Sequence, residues 1–189
     1  MWSKTGAGDV TAIAATSPIV VTGDDDGTVA RYTVDDTRQT QTQTTRRGGV
    51  ELSAVAISPD ATVRAAGGLD GQVTAVVDGE ERTLGVHGAA VTAVGLSADD
   101  AGGLIAITGS VDRTVRVWSL RDDSYSVIDT ATGPVRAVHA FTKGQRMLIA
   151  PEASSVHLWP VATATGAVKM RRFVDGLSDV PPVDTSRAR

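Results

Sequence analysis

One pattern recurs four times along this chain of 189 residues, and it constrains the fold more than any other feature. The copies begin at Asp9 (DVTAIAAT), Glu51 (ELSAVAIS), Ala90 (AVTAVGLS) and Pro134 (PVRAVHAF), giving periods of 42, 39 and 44 residues. Each copy continues, after a turn, into a second short apolar run: PIVVTG, VRAAGG, LIAITG or RMLIAP. A third run follows in each: TVARYTV, QVTAVV, TVRVWSL or SVHLWPV. Self-similarity at that period marks an array of supersecondary units, each burying its apolar surface against its neighbours.

The runs are strand-sized, rich in Val, Ile, Thr and Ala, and bounded by Gly, Asp, Pro and Ser, so they read as β-strands; helix signals are nearly absent. A fourth, more polar strand fits at the end of each unit, near Arg38 to Thr45, Glu81 to Leu84, Ser124 to Asp129 and Ala167 to Phe173. The expected architecture is all-β, with four sheets of four antiparallel strands at about 9–47, 48–85, 86–130 and 131–174. Residues 1–8 form an N-terminal segment in which Trp2 could anchor an edge strand. Residues 175–189, with VPPVD and the ending SRAR, read as a disordered tail. The run RQTQTQTT (Arg38 to Thr45) has no large apolar side chain, as expected of a solvated outermost strand.

Bulk properties exclude several classes. With no cysteine, a disulfide framework, a thiolate metal site and a thiol nucleophile are all ruled out. A net charge of -4 gives no basic face for DNA or RNA. No apolar run reaches membrane-spanning length, and MWSKTGAGD lacks the apolar stretch of a signal peptide, so a cytoplasmic address is expected. The 15 Arg against 3 Lys, and 18 Asp against 4 Glu, suggest a GC-rich, bacterial source.

From Asp9 to Phe173 the sequence resembles the WD-repeat β-propeller family, and the third unit carries the best match. His87 lies four residues before Val91, Ser110 two before Asp112, and Asp112 six before Trp118. The resemblance implies that His87, Ser110, Asp112 and Trp118 form a buried structural tetrad, in which indole, hydroxyl, imidazole and carboxylate bond in sequence. The other units keep parts of it. Asp26 remains in the first, with Asp24 at the Ser position, Tyr32 at the Trp and Gly6 at the His. Asp70 remains in the second, with Gly68, Val76 and Gly48 at the other places. The last unit keeps Trp159, with Pro151 and Ala153 where Ser and Asp would lie.

His87, Ser110 and Asp112 are also the ingredients of a hydrolase triad, but a nucleophile needs exposure and oxyanion donors, and the spacing favours structure. Asp24, Asp25 and Asp26, leading into Gly27, fit a tight turn better than a calcium loop, so no metal site and no cofactor are expected. His139 stands where the other units have Ala14, Ala56 and Gly95, which hints at a different neighbour for the last unit. Asp24, Asp25, Arg46 and Arg47 form a possible partner-binding rim, and Arg171 with Arg172 is a similar pair. No catalytic residues are assigned.

Propellers carry about four to eight blades, and seven or eight are common in this family. Four blades therefore point to an incomplete propeller, completed by another copy, a different chain or a longer precursor. The resemblance implies a non-catalytic scaffold that mediates protein–protein interaction as a subunit of a larger assembly. One alternative is a small-molecule or ion sensor with its ligand in the central opening. Another is a hydrolase using rim carboxylates such as Asp25 or Asp100; the chain offers it no paired acid and base at defined spacing.

Overall fold

In the computed structural model the described residues are 8–35, 39–46, 48–98, 103–122, 124–129, 133–141, 146–152 and 156–160. Among them are fifteen strands and no helix. The first sheet contains β1 (Val10–Thr16), β2 (Ile19–Asp24), β3 (Thr28–Val34) and β4 (Gln39–Arg46). The second contains β5 (Leu52–Ile57), β6 (Arg64–Gly68), β7 (Gln72–Val77) and β8 (Glu80–Val86). In the third are β9 (Val91–Ala98), β10 (Leu104–Ser110), β11 (Thr114–Ser119) and β12 (Tyr125–Asp129). The fourth has β13 (Val135–Phe141), β14 (Arg146–Pro151) and β15 (His157–Pro160). Every sheet is an antiparallel meander in chain order. The fourth strand expected at Ala167–Phe173, the tail from Asp175, and Trp2 with its N-terminal neighbours lie outside the described residues.

In the first three sheets the turn between the second and third strand carries an aspartate that accepts from the strand beyond it. Asp26, Asp70 and Asp112 accept the backbone N–H two residues on, from Thr28 at 3.2 Å, Gln72 at 3.0 Å and Thr114 at 2.9 Å. A short side chain that mimics a backbone carbonyl closes the hairpin without strand residues. The residue between must turn left-handed: Gly27 and Gly71 sit at φ 82°, and Arg113 at 71°. At Gly71 a Cβ would lie 2.6 Å from the His87 carbonyl, so glycine is needed for space as well as for φ.

The sheets stack face to face as blades. Val21, Val29, Leu52 and Val55 fill the first junction, Val73, Val91, Ala106 and Trp118 the second, and Ile107, Val115, Val135 and Ile149 the third. Burying each such side chain contributes about 1.5–3 kcal/mol. The first strands β1, β5, β9 and β13 lie side by side and line an open concavity, with Thr11, Ser53, Ala93 and Ala137 on its wall.

All three junctions use the same parts. The leading face of a blade, turned to the next, carries a glycine: Gly23, Gly67 or Gly109. Against it sits the lead residue of the following blade, Leu52, Val91 or Val135, each 0% exposed. The inner strand of the leading blade adds a hydroxyl, from Thr11, Ser53 or Thr92, which donates to the carbonyl of that same lead residue. Small residues on one side and a β-branched or leucine side chain on the other let the backbones close without a gap.

At its two ends the array offers these parts to no described blade. Val10, the counterpart of Leu52, is 46% exposed, and Ile13 on the same strand is 69% exposed. At the far end Val156 is 66% exposed, whereas its counterparts Val29, Val73 and Val115 are 4%, 0% and 0% exposed. The inner strands agree: on β13 the exposed set includes Arg136, His139 and Phe141, while Val138 and Ala140, which pack back onto the third sheet, are half-buried.

Candidate functional site

The densest polar constellation lies between the second and third blades. His87 follows β8, Thr108 is on β10, Trp118 on β11, and Asp112 in the turn between those two strands. The Trp118 Nε1–H donates to Thr108 Oγ1 at 2.8 Å, and that hydroxyl lies 2.7 Å from His87 Nε2. The ionised Asp112 carboxylate beside Nδ1 can only accept, which fixes the imidazole as the Nδ1–H tautomer, so the Thr108 hydroxyl, while accepting from the indole, donates its own proton to Nε2. Nδ1 in turn faces Asp112 Oδ2 at 3.2 Å and Thr114 Oγ1 at 3.1 Å. Gly88 N–H donates to the same carboxylate at 2.8 Å, and the Thr114 hydroxyl donates to Oδ1 at 2.7 Å.

The hydroxyl in this chain is Thr108, not the expected Ser110. Ser110 is fully buried but does other work: its hydroxyl donates to the Ala89 carbonyl at 3.0 Å and accepts the Asp112 N–H at 3.1 Å. Strand register is the reason. Trp118 pairs with Ala106, so Thr108 is two residues along the same face, about 7 Å away, while Ser110 is four residues along, about 13 Å. The corresponding hydroxyl positions elsewhere are Thr22, Ala66 and Ile149, rather than Asp24, Gly68 and Pro151. In the first blade Thr22 is buried with its hydroxyl unbonded, and Tyr32, also buried, stands in place of the indole. The signal that could have found Thr108 was the strand alternation, counted back from the turn.

Electrostatics follow from this packing. Burial pushes the His87 imidazole below its ordinary value, and the Asp112 carboxylate and its hydrogen bond only partly offset that. For Asp112, burial works upward but is outweighed by the Thr114 hydroxyl, the Thr114 and Gly88 N–H groups and the His87 ring, which bring it down to about 2. Carboxylate, imidazole and hydroxyl thus stand in the order of a hydrolytic triad, with the hydroxyl sealed in. Thr108 is 0% exposed, and its oxygen is already held by the indole, so this site has no place for a substrate.

The expected rim is dismantled in part. Asp24 is buried, with Oδ1 accepting the Thr28 N–H at 2.6 Å, and so is part of the turn rather than an exposed binding group. Asp25 is exposed and accepts the Asp9 N–H at 2.8 Å, and Asp26 also accepts the Thr28 hydroxyl. Among the described residues no group of acidic or histidine side chains is placed to hold a metal ion. Arg47, Asp100, Arg171 and Arg172 lie outside the described residues; Arg46 ends β4. Trp159 pairs with Met147 across β15 and β14. His139 is exposed, with its ring edge-on to Phe141 at 5.0 Å.

Stacked antiparallel meanders of three or four described strands around an open centre define a partial β-propeller. Residues 79–119, from β8 to β11 and including His87, Thr108, Asp112 and Trp118, match the family described as WD domain, G-beta repeat. The solved RRP9 WD40 repeats match with a TM-score of 0.70 at 18% identity, over 82% of this chain and 49% of that one. The computationally designed Ika4 protein matches with a TM-score of 0.67 at 23% identity, over 85% of this chain and 96% of that one. No curated protein matches the chain. Residues 79–119 are therefore a WD repeat, and the chain has the WD-repeat propeller fold, spanning about half the length of the RRP9 chain. WD40 repeats generally act as non-catalytic scaffolds for protein–protein interaction.

Proposed function

We propose that this chain is a non-catalytic interaction scaffold that works as a subunit of a larger assembly, its blade array being completed from outside the described residues. One observation carries the reading: Val156 is 66% exposed at a position that is buried against the next blade in all three other sheets. An apolar blade face left in water is a docking surface, because propeller blades are stabilised by face-to-face burial. The hydrolytic alternative drew on Asp25 and Asp100; Asp25 accepts the Asp9 N–H, which favours a structural role for it, and Asp100 lies outside the described residues. The acidic net charge of -4 favours a protein partner over nucleic acid.

Native mass spectrometry of protein taken from its own host, with binding of an apolar dye to the purified chain, tests this. Expected are an assembly heavier than 19.5 kDa and dye binding by any chain dissociated from it. A 19.5 kDa species from the host that binds no dye would refute the scaffold reading.

A further inference from the structure

We infer that the array is closed by a second copy of the same chain, leading face to trailing face, in a two-fold ring with two equal seams. This rests on the array being incomplete, and it names what completes it. A junction needs two unlike halves: a leading face with its small residue and donor, and a trailing face with its lead side chain and carbonyl. Among the described residues each end of the array presents one unused half, Val156 leading and Val10 trailing. A second copy turned by a two-fold axis supplies both missing halves at once, whereas an unrelated partner would have to reproduce both separately. The described blades number four, and two copies give eight, within the usual propeller range of about four to eight.

The unused leading face is not a copy of the internal ones, and its differences all run one way. Ala150 replaces Gly23, Gly67 and Gly109; Arg136 replaces Thr11, Ser53 and Thr92; His139 replaces Ala14, Ala56 and Gly95; Phe141 replaces Thr16, Ser58 and Ser97. A methyl at the glycine position cannot meet a lead valine at the internal spacing: at Gly109 a Cβ would lie 2.3 Å from Val135. The closing seam is therefore wider than the three internal ones, and the larger side chains fill it. Arg136 is exposed and paired with Glu152. Its guanidinium keeps further donors on a stem long enough to reach the Val10 carbonyl across that gap, where a threonine could not. On the facing side Ala15, smaller than Ile57 and Leu96 and the same as Ala140, leaves room for Phe141.

The test is light scattering of the purified full chain at micromolar concentration, for the wild type and for Val10→Lys and Val156→Asp. The wild type should give twice 19.5 kDa, about 39 kDa. Each variant alone carries one altered face in both seams and should fall to 19.5 kDa. Mixed one to one, they form a ring with one wholly native seam and one Lys–Asp seam, so the 39 kDa species should return; a folding defect could not produce that recovery. A wild-type 19.5 kDa monomer overturns the second copy. If that monomer binds apolar dye the array still needs another partner, and if it binds none the scaffold reading falls with it. A dimer unaffected by either variant, or one that mixing does not restore, also overturns this seam.

Discussion

Replacing Thr108 with valine keeps the shape of the side chain and removes the one oxygen that joins Trp118 to His87. Thr108 is fully buried, and its hydroxyl serves the indole N–H at 2.8 Å and the imidazole Nε2 at 2.7 Å. The substitution leaves both groups inside the blade junction without that partner, and each such loss costs about 1–3 kcal/mol. The extra methyl recovers less than about 1 kcal/mol. The expected destabilisation is therefore about 2–4 kcal/mol. Ser110→Ala is the matched control: Ser110 is equally buried, but its two partners, the Ala89 carbonyl and the Asp112 N–H, belong to half-buried residues that water can reach, whereas Trp118 and His87 are buried. Its cost should be about 1–2 kcal/mol. In urea titrations at one fixed protein concentration, Thr108→Val should be the less stable by about 2 kcal/mol, or about 4–8 °C in Tm. Equal midpoints for the two variants would refute the assignment of Thr108 to the chain of hydrogen bonds.

Acidification should weaken the fold in two stages. The His87 imidazole titrates below 6.5 in the folded chain, so the unfolded state takes up its proton first and stability falls as pH drops below about 6.5. Asp112, held at about 2 against 3.8 when unfolded, contributes stability that is present above pH 3.8 and lost towards pH 2. Allowing for solvent screening, that second loss is on the order of 1 kcal/mol, and Asp112→Asn should abolish it in melting curves taken across the range. Gly67→Ala should cost about 1–3 kcal/mol, because its Cβ would lie 2.3 Å from Val91 Cγ1. Ala150→Gly, on a face with no described blade against it, should lower the unfolding free energy of the monomeric Val156→Asp background by less than about 0.5 kcal/mol beyond the intrinsic cost of glycine in a strand.

The sequence by itself determined the number and kind of the units. Runs of Val, Ile, Thr and Ala with a fixed period of turns leave no fold but stacked antiparallel sheets, and the outer strands expected at Arg38–Thr45 and Glu81–Leu84 are observed as Gln39–Arg46 and Glu80–Val86. Asp26, Asp70 and Asp112 were legible as turn residues because an Asx turn is a local interaction, complete within three residues. His87, Asp112 and Trp118 were legible by spacing, but the hydroxyl between them was not. Choosing between Thr108 and Ser110 requires the pairing of Ala106 with Trp118, and that register is set by contacts between strands rather than along them. For the same reason Asp24 looked like a rim carboxylate and is buried in its own turn. Only the tertiary structure decided which blade faces are used. Val10 stands where Leu52 and Val91 are buried, and Val156 where Val29 and Val73 are buried; each is exposed because no described sheet packs against it. Burial is a property of neighbours in space, so the repeat count could point to an incomplete ring, but the particular exposed faces at Val10 and Val156 appear only when the blades are stacked.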